Sequence, residues 1–115
     1  MGKAIVPAVI AISTSLSPSV YLDKGILVAI HMPSAWDTGN LTFQGSNDNV
    51  TFDNVYTDAG TEFAITAAAS RYIIITSTAA NNLSGLMYIK VRSGTSGTPV
   101  TQTAARTIYL IVEDV

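Results

Sequence analysis

The chain has 115 residues, enough for one domain but too few for two domains of ordinary size. It has no cysteine, which excludes disulfides, thiolate metal sites and a cysteine nucleophile. Its net charge is −2 and its six basic residues are scattered, so it lacks the basic stripe that a nucleic-acid-binding surface requires.

The proportion of charged residues is low for a soluble chain. Only 12% of the residues are charged and 48% are hydrophobic, while serine, threonine and asparagine supply most of the polarity. Solubility normally depends on more charge than this. We therefore expect part of the apolar surface to be buried against another chain.

The first residues form a short apolar segment. Lys3 precedes the run Ala4–Ile12 in a pattern that resembles a signal peptide, but the run is too short to span a bilayer and no suitable cleavage site follows it. We interpret residues 1–14 as a first β-strand or an N-terminal arm. Its apolar side chains are the predicted contacts with a partner: Ile5, Val6, Val9, Ile10 and Ile12.

The rest of the chain has the pattern of short strands. Runs rich in valine, isoleucine, tyrosine, phenylalanine and threonine are separated by glycine, asparagine, aspartate, serine and proline, which predicts strands rather than helices. The predicted strands are, in chain order, Ala4–Ile12, Ser19–Leu22, Ile26–Met32, Leu41–Ser46, Thr51–Tyr56, Glu62–Thr66, Tyr72–Thr76, Met87–Arg92 and Thr107–Val112. The run 88–92 alternates most clearly, with Lys90 and Arg92 on one face.

Strands at this spacing indicate two packed sheets or a small barrel. The sequence predicts an all-β fold, an antiparallel β-sandwich of jelly-roll type, with an immunoglobulin-like sandwich as the alternative. Residues 1–115 are predicted to form one such domain. Turn residues between the strands agree with this interpretation, because Ser46–Asn49 and Asp58–Gly60 suit the left-handed backbone conformations of tight turns.

The titratable residues indicate no catalytic site. His31 is the only histidine, and neither a cysteine nor a Gly-x-Ser-x-Gly motif is present to supply a nucleophile. The carboxylates fall in predicted turns without the spacing of a calcium loop. No cluster of histidine and cysteine would hold a transition metal. We therefore predict no enzymatic activity, no metal and no cofactor.

Two loops are candidates for a surface-recognition site. Trp36 and Asp37 lie in a predicted extended loop, and Asn47, Asp48 and Asn49 form a predicted turn. Exposed aromatic side chains on the loops of a sandwich often stack on sugars or anchor protein interfaces. The alternative is a structural role, in which the loop folds Trp36 back over the edge of the core.

An ordered series of runs between about residues 25 and 112 resembles small proteins encoded among the head genes of tailed phages and prophages. The runs are Met32–Trp36, Leu41–Gln44, Ser46–Phe52, Tyr56–Glu62, Ala67–Tyr72, Tyr88–Thr95, Pro99–Gln102 and Ala105–Thr107. Such proteins resemble capsid decoration, or cement, proteins. These are small β-sandwiches that bind the outside of an icosahedral shell, usually as trimers or dimers, and clamp neighbouring capsomers.

The resemblance implies a structural virion protein that binds and stabilises a phage capsid. The implied partners are the major capsid protein and further copies of the same chain, as a trimer more than as a dimer, and neither nucleic acid nor a membrane is a partner. The implied location is the outer surface of the capsid, after synthesis in the host cytoplasm. The apolar residues of the N-terminal segment would then contact the capsid or a neighbouring subunit.

A carbohydrate-binding module, displayed on the virion, is the alternative function. The runs Phe43–Phe52 and Ser70–Ile75 resemble the strand–turn–strand pieces of discoidin-type carbohydrate-binding sandwiches. On this hypothesis Trp36 and Asp37 would bind a sugar together with the turn Asn47–Asn49.

Overall fold

The part of the chain that the structure describes contains nine strands in two antiparallel sheets. The computed structural model describes residues 3–22, 25–75, 83 and 85–114, and none of these residues lies in an α-helix. The strands are β1 (Lys3–Ile10), β2 (Val20–Tyr21), β3 (Gly25–His31), β4 (Leu41–Ser46), β5 (Asp53–Asn54), β6 (Ala64–Ile65), β7 (Tyr72–Ile74), β8 (Tyr88–Ser93) and β9 (Arg106–Asp114).

Most neighbouring strands in the two sheets are distant along the chain. The four-stranded sheet has the order β1-β9-β3-β7. The five-stranded sheet has the order β2-β8-β4-β5, and β6 also pairs with β4. The first strand therefore lies beside the last, with Lys3 opposite Glu113 and Ile10 opposite Arg106.

The core lies between the two sheets, because alternate side chains of each strand point inward. Ile108 and Leu110 of β9 are fully buried, as are Phe43 of β4 and Val91 of β8. The ring of Phe43 contacts that of Phe63 in a tilted arrangement, with centroids 5.6 Å apart. Burial of one such large side chain stabilises the fold by about 1.5–3 kcal/mol.

The predicted all-β architecture of two antiparallel sheets is confirmed, but the strands at the edges are shorter than the sequence predicts. Strand β5 is Asp53–Asn54 within the predicted Thr51–Tyr56, and β6 is Ala64–Ile65 within the predicted Glu62–Thr66. These strands pair with β4 on one side only, so fewer ladder hydrogen bonds hold them in extended form. Thr76, the last residue of the predicted seventh strand, lies outside the described residues.

Two side chains hold the turn that follows β4. Asp48 Oδ1 accepts hydrogen bonds of 2.9 Å from the Ser46 hydroxyl and from the backbone N–H groups of residues 50 and 51. The Ser46 hydroxyl oxygen accepts a further bond of 2.9 Å from the N–H of Asn49. Asn49 has a φ of 61°, a left-handed conformation that asparagine tolerates well. The turn predicted at this position is confirmed.

Candidate protein-binding face

The outward side of the four-stranded sheet is apolar over most of its area. The pairing registers align outward residues of the four strands in rows across the sheet. One row is Ile5, Ile111, Ala29 and Ile74, and the next is Pro7, Tyr109, His31 and Tyr72. Val9 and Thr107 extend the face toward the end of β1. We call these ten residues the apolar face.

The large side chains at both margins of the apolar face are well exposed. Ile5 on β1 is 69% exposed, and Tyr72 and Ile74 on β7 are 67% and 66% exposed. An isolated exposed isoleucine is ordinary on a protein surface, but a contiguous apolar patch is typical of an interaction site. The outward face of this sheet is therefore the candidate functional site.

Aromatic rings form the centre of the apolar face. The His31 imidazole is stacked on the ring of Tyr72, with centroids 4.0 Å apart and planes 8° from parallel. The ring of Tyr109 lies 6.2 Å away on the other side of His31. Tyrosine side chains of this kind are enriched at protein interfaces because they combine a large apolar surface with a polar end.

Two hollows flank the stacked rings of His31 and Tyr72. The first has a volume of about 230 Å³ and is lined by Ile5, His31, Tyr72, Tyr109 and Ile111. The second has a volume of about 550 Å³ and extends past the stacked rings toward Pro33, Ser34, Ser70 and Arg71. The apolar face therefore has hollows and is not flat. Side chains of a partner could fill such hollows and pack closely against the face.

Charged side chains are confined to the rim of the apolar face. Lys3 and Glu113 are paired in register on β1 and β9, at one end of the sheet. Arg71 lies at the other end, beside the second hollow. Depletion of charge at the centre, with charge at the rim, is the composition of a protein–protein interface.

The outward side of the five-stranded sheet has a different character, because polar groups there are bonded to one another. The side chain of Arg92 is 7% exposed and donates hydrogen bonds to Thr42, Glu62 and Asn54 at 3.2, 3.3 and 2.7 Å. The Lys90 ammonium lies 4.4 Å from the centroid of the Phe52 ring. The two sheets therefore differ in their outward sides, because a bonded polar network occupies this part of the five-stranded sheet.

The predicted contacts of the N-terminal segment are divided between the surface and the core. Ile5 and Val9 lie on the apolar face, and Ile12 is 60% exposed just beyond the end of β1. Val6 is partly buried against the core, and Ile10 is completely buried within it. Ile10 has no exposed surface with which to contact a partner, because the strand turns it toward the opposite sheet, so we exclude it from the candidate site.

Trp36 and Asp37 hold a loop against the body of the protein. Trp36 is partly buried against the core and its Nε1–H donates a 3.0 Å hydrogen bond to the carbonyl oxygen of Gly39. The Asp37 carboxylate accepts bonds from the Arg106 guanidinium at 2.6 Å and from the hydroxyl and N–H of Thr103. These contacts agree with the structural role that the sequence left open for Trp36.

The charge on Asp37 makes the fold sensitive to acid. The hydrogen bond from Arg106, followed by that from the Thr103 N–H, holds the pKa of Asp37 below its usual value. A carboxylate whose pKa is lower in the folded chain stabilises the fold above about pH 4, and this stabilisation is lost as the pH falls through the folded-state pKa. We expect Asp37→Asn to lower the urea midpoint at pH 7, and the difference from the unmodified chain to narrow below pH 4.

The measurement is urea unfolding followed by Trp36 fluorescence at pH 7 and at pH 3.5. Asp58→Asn is the matched control, because Asp58 is exposed in a turn and should have little influence on the midpoint. A difference between Asp37→Asn and the unmodified chain that stays constant over this pH range would contradict the assignment.

The turn at Asn47–Asn49 does not join Trp36 and Asp37 in one site. The loop that carries Trp36 precedes Leu41 at the start of β4, whereas the turn follows Ser46 at its end. The strand between them is about 17 Å long. The turn borders instead a cleft of about 420 Å³ that Tyr56 and Asp53 also line. The carbohydrate-binding hypothesis combined the two loops, and the structure gives it no common site.

Most residues of the apolar face were not predicted as site residues, although the sequence contains a signal for them. Residues 72–75 and 107–112 are apolar at both odd and even positions. A strand with one solvated face alternates instead, as 88–92 does. Apolar runs on both sides of these strands are therefore the signal by which the outward residues of this sheet could have been identified.

No group of three or more histidine, cysteine, aspartate or glutamate side chains among the described residues is arranged to hold a metal ion. Within the same residues no helix has the length and hydrophobicity needed to cross a membrane. Comparison of the chain with protein-family models, with curated proteins and with solved structures gives no match.

Proposed function

We propose that this chain is a structural virion protein that binds the outer surface of a phage capsid and stabilises it. The observation that carries the proposal is the apolar face, an exposed, charge-depleted surface that indicates, on a chain with few charged residues, a component of a larger protein assembly. The runs between residues 25 and 112 resemble those of capsid decoration proteins, and this resemblance suggests the capsid as the partner. A protein that acts by burying apolar surface needs no catalytic group.

The physical basis of the binding is removal of apolar surface from water. Each Å² of apolar surface that is buried contributes roughly 25 cal/mol before the costs of association are subtracted. A shell presents many identical sites, so a decorating protein that contacts two capsomers gains avidity beyond the strength of either contact. Modest binding at each contact is therefore sufficient to hold a shell together.

We further propose that the sandwich has jelly-roll topology. Successive strands cross from one sheet to the other: β1, β3, β7 and β9 belong to the four-stranded sheet, and β2, β4 and β8 to the other. Eight strands in two four-stranded sheets make a jelly roll, and here β5 and β6 share one position beside β4. An immunoglobulin-like sandwich would instead pair its first two strands within one sheet. Jelly rolls are common among capsid proteins, which is consistent with the proposed role.

The test uses capsids encoded by the same genome and assembled without this chain. The purified chain is incubated with these capsids, and binding is measured by co-sedimentation over a range of concentrations. We expect saturable binding with a dissociation constant of about 1 µM or tighter, and an increase in the temperature at which the shell is disrupted. Absence of co-sedimentation at tens of micromolar, with the chain folded by circular dichroism, would refute the proposal.

A further inference from the structure

We infer that the apolar face is covered by the same face of a second copy of this chain, in a two-fold symmetric dimer. The inference goes beyond the proposed function and rests on it for the role of the pair: the apolar face joins the two copies, and the capsid is bound by the remaining surface of each copy. A two-fold pair carries that surface twice and is thus a unit able to link neighbouring capsomers.

The area of the face is suited to a stable pair. Three strands of about six residues each and the three residues of β7, spaced about 4.8 Å apart, cover roughly 330 Å² in projection. Side chains such as Ile5, Tyr72 and Ile74 project from the sheet, so their accessible area exceeds this projection. A typical stable interface buries about 800 Å² on each partner. The projection alone is about two-fifths of that area, and the side chains that project from the sheet add to it.

The charges favour a second copy as the occupant. The centre of the face carries no Asp, Glu, Lys or Arg among the described residues, so two copies brought face to face meet no central like-charge repulsion. Lys3 and Glu113 have opposite signs and lie side by side at one end of the rim. The net charge of −2 adds little repulsion between whole chains.

The edges of the four-stranded sheet are poor sites for association, so a second copy is expected to bind the apolar face and not an edge strand. Strand β1 forms one edge, and Pro7 near its middle has no N–H to donate to an added strand. Strand β7 forms the other edge and has only three residues. Protection of this kind is how native sheets prevent pairing at their edges. Face-to-face packing of two sheets about 10 Å apart is the remaining arrangement.

One continuous patch is what a two-fold dimer requires. A two-fold interface uses the same surface on both copies, whereas a ring of three joins two different surfaces on each copy. Outside the apolar face, the exposed apolar side chains of the described residues form smaller groups, none of which extends across four strands: Ile12, Tyr21, Val50, Tyr56 and Met87. The surface therefore favours a dimer over the trimer that the sequence resemblance favours.

The test is the mass of the purified chain in solution, measured by sedimentation velocity and by light scattering after size exclusion at 1–100 µM, a range chosen around about 1 µM affinity. We expect twice the monomer mass of 12.1 kDa. Ile74→Asp and Ile5→Asp each place a charge in the buried face and should weaken the dimer at least 100-fold, an effect of about 2.7 kcal/mol. Both side chains are exposed in the single chain, so both variants should keep the circular dichroism of the fold.

Val50→Asp is the matched control, because Val50 is 80% exposed and lies in the turn after β4, away from the apolar face. It should leave the dimer intact. A monomer at 100 µM, a trimer, or a dimer that resists both face variants would overturn the inference. The capsid assay separates this result from the proposed function: a monomer that still binds capsids refutes only the pairing, and a dimer that fails to bind them refutes only the capsid role.

Discussion

Replacement of Arg92 by methionine is expected to lower the free energy of unfolding by about 3 kcal/mol. The guanidinium contacts Thr42 on β4, Asn54 on β5 and Glu62 in the segment before β6. Glu62 in turn accepts hydrogen bonds from the N–H of Ser96 in the loop after β8. Methionine keeps much of the length and apolar bulk of the side chain, so the loss measures the polar network.

The cost arises mainly from the groups that Arg92 leaves behind. The Glu62 side chain is only 15% exposed. Removing its cation leaves a nearly buried, unpaired carboxylate, which lowers the free energy of unfolding more than replacing the whole ion pair by apolar side chains would. For this reason Glu62→Gln combined with Arg92→Met should cost less than the sum of the two single changes. Urea unfolding followed by the fluorescence of Trp36, the only tryptophan, measures all three variants.

Lys90→Met is the matched control for this prediction. Lys90 lies two residues before Arg92 on the same face of β8, but among the described residues its ammonium contacts only the ring of Phe52, a contact that contributes about 0.5–1 kcal/mol. An Arg92→Met variant no less stable than Lys90→Met would show that the network does not hold the edge of the five-stranded sheet.

Replacement of Gly94 by alanine is expected to lower the free energy of unfolding by about 2–4 kcal/mol. Gly94 has a φ of 88°, a conformation that side chains other than glycine adopt at a cost. An added Cβ would also lie 2.5 Å from the carbonyl oxygen of Thr98 and 2.7 Å from the nitrogen of Val100. Both are backbone atoms, so the loop itself must shift.

Gly60→Ala separates the cost of the left-handed backbone conformation from the cost of the steric clash. Gly60 has a nearly identical φ of 85°, but an added Cβ would have no atom within 4 Å. This variant should lose only the conformational part, about 1 kcal/mol. Thermal unfolding of both variants by circular dichroism measures the difference. Equal losses in the two variants would mean that the loop after Gly94 accommodates the methyl group without strain.

The strands were predictable from local pattern, whereas the contacts of the loops were not. Alternation in 88–92 and apolar runs such as 26–32 indicate strands because a strand exposes alternate residues to each side of a sheet. The partners of Asp37 are Thr103 and Arg106, more than 60 residues away along the chain. No local pattern predicts such a contact, so the sequence could not decide between recognition and structure for Trp36.

The apolar face was predictable only in part, for a different reason. Composition predicts that part of the apolar surface is buried against another chain, and the sequence predicts that the N-terminal segment contributes to that surface. Assembly of Ile5, Tyr109, His31 and Tyr72 into one surface depends on the order β1-β9-β3-β7. That order joins the two ends of the chain to its middle, and strand order of this kind is a property of the whole fold.

The pairing of β1 with β9 also governs when the protein can fold. The two strands join residues about a hundred positions apart along the chain, so the contact is among the most non-local that the chain can make. Closing so long a loop costs conformational entropy before any contact between the strands can form and offset that cost. All-β domains of this kind therefore fold in milliseconds to seconds. During synthesis, β1 must wait until β9 has left the ribosome. Until then β1 is an exposed strand, and Pro7, which has no N–H to donate, interrupts the row of donors that such a strand offers to a neighbouring chain.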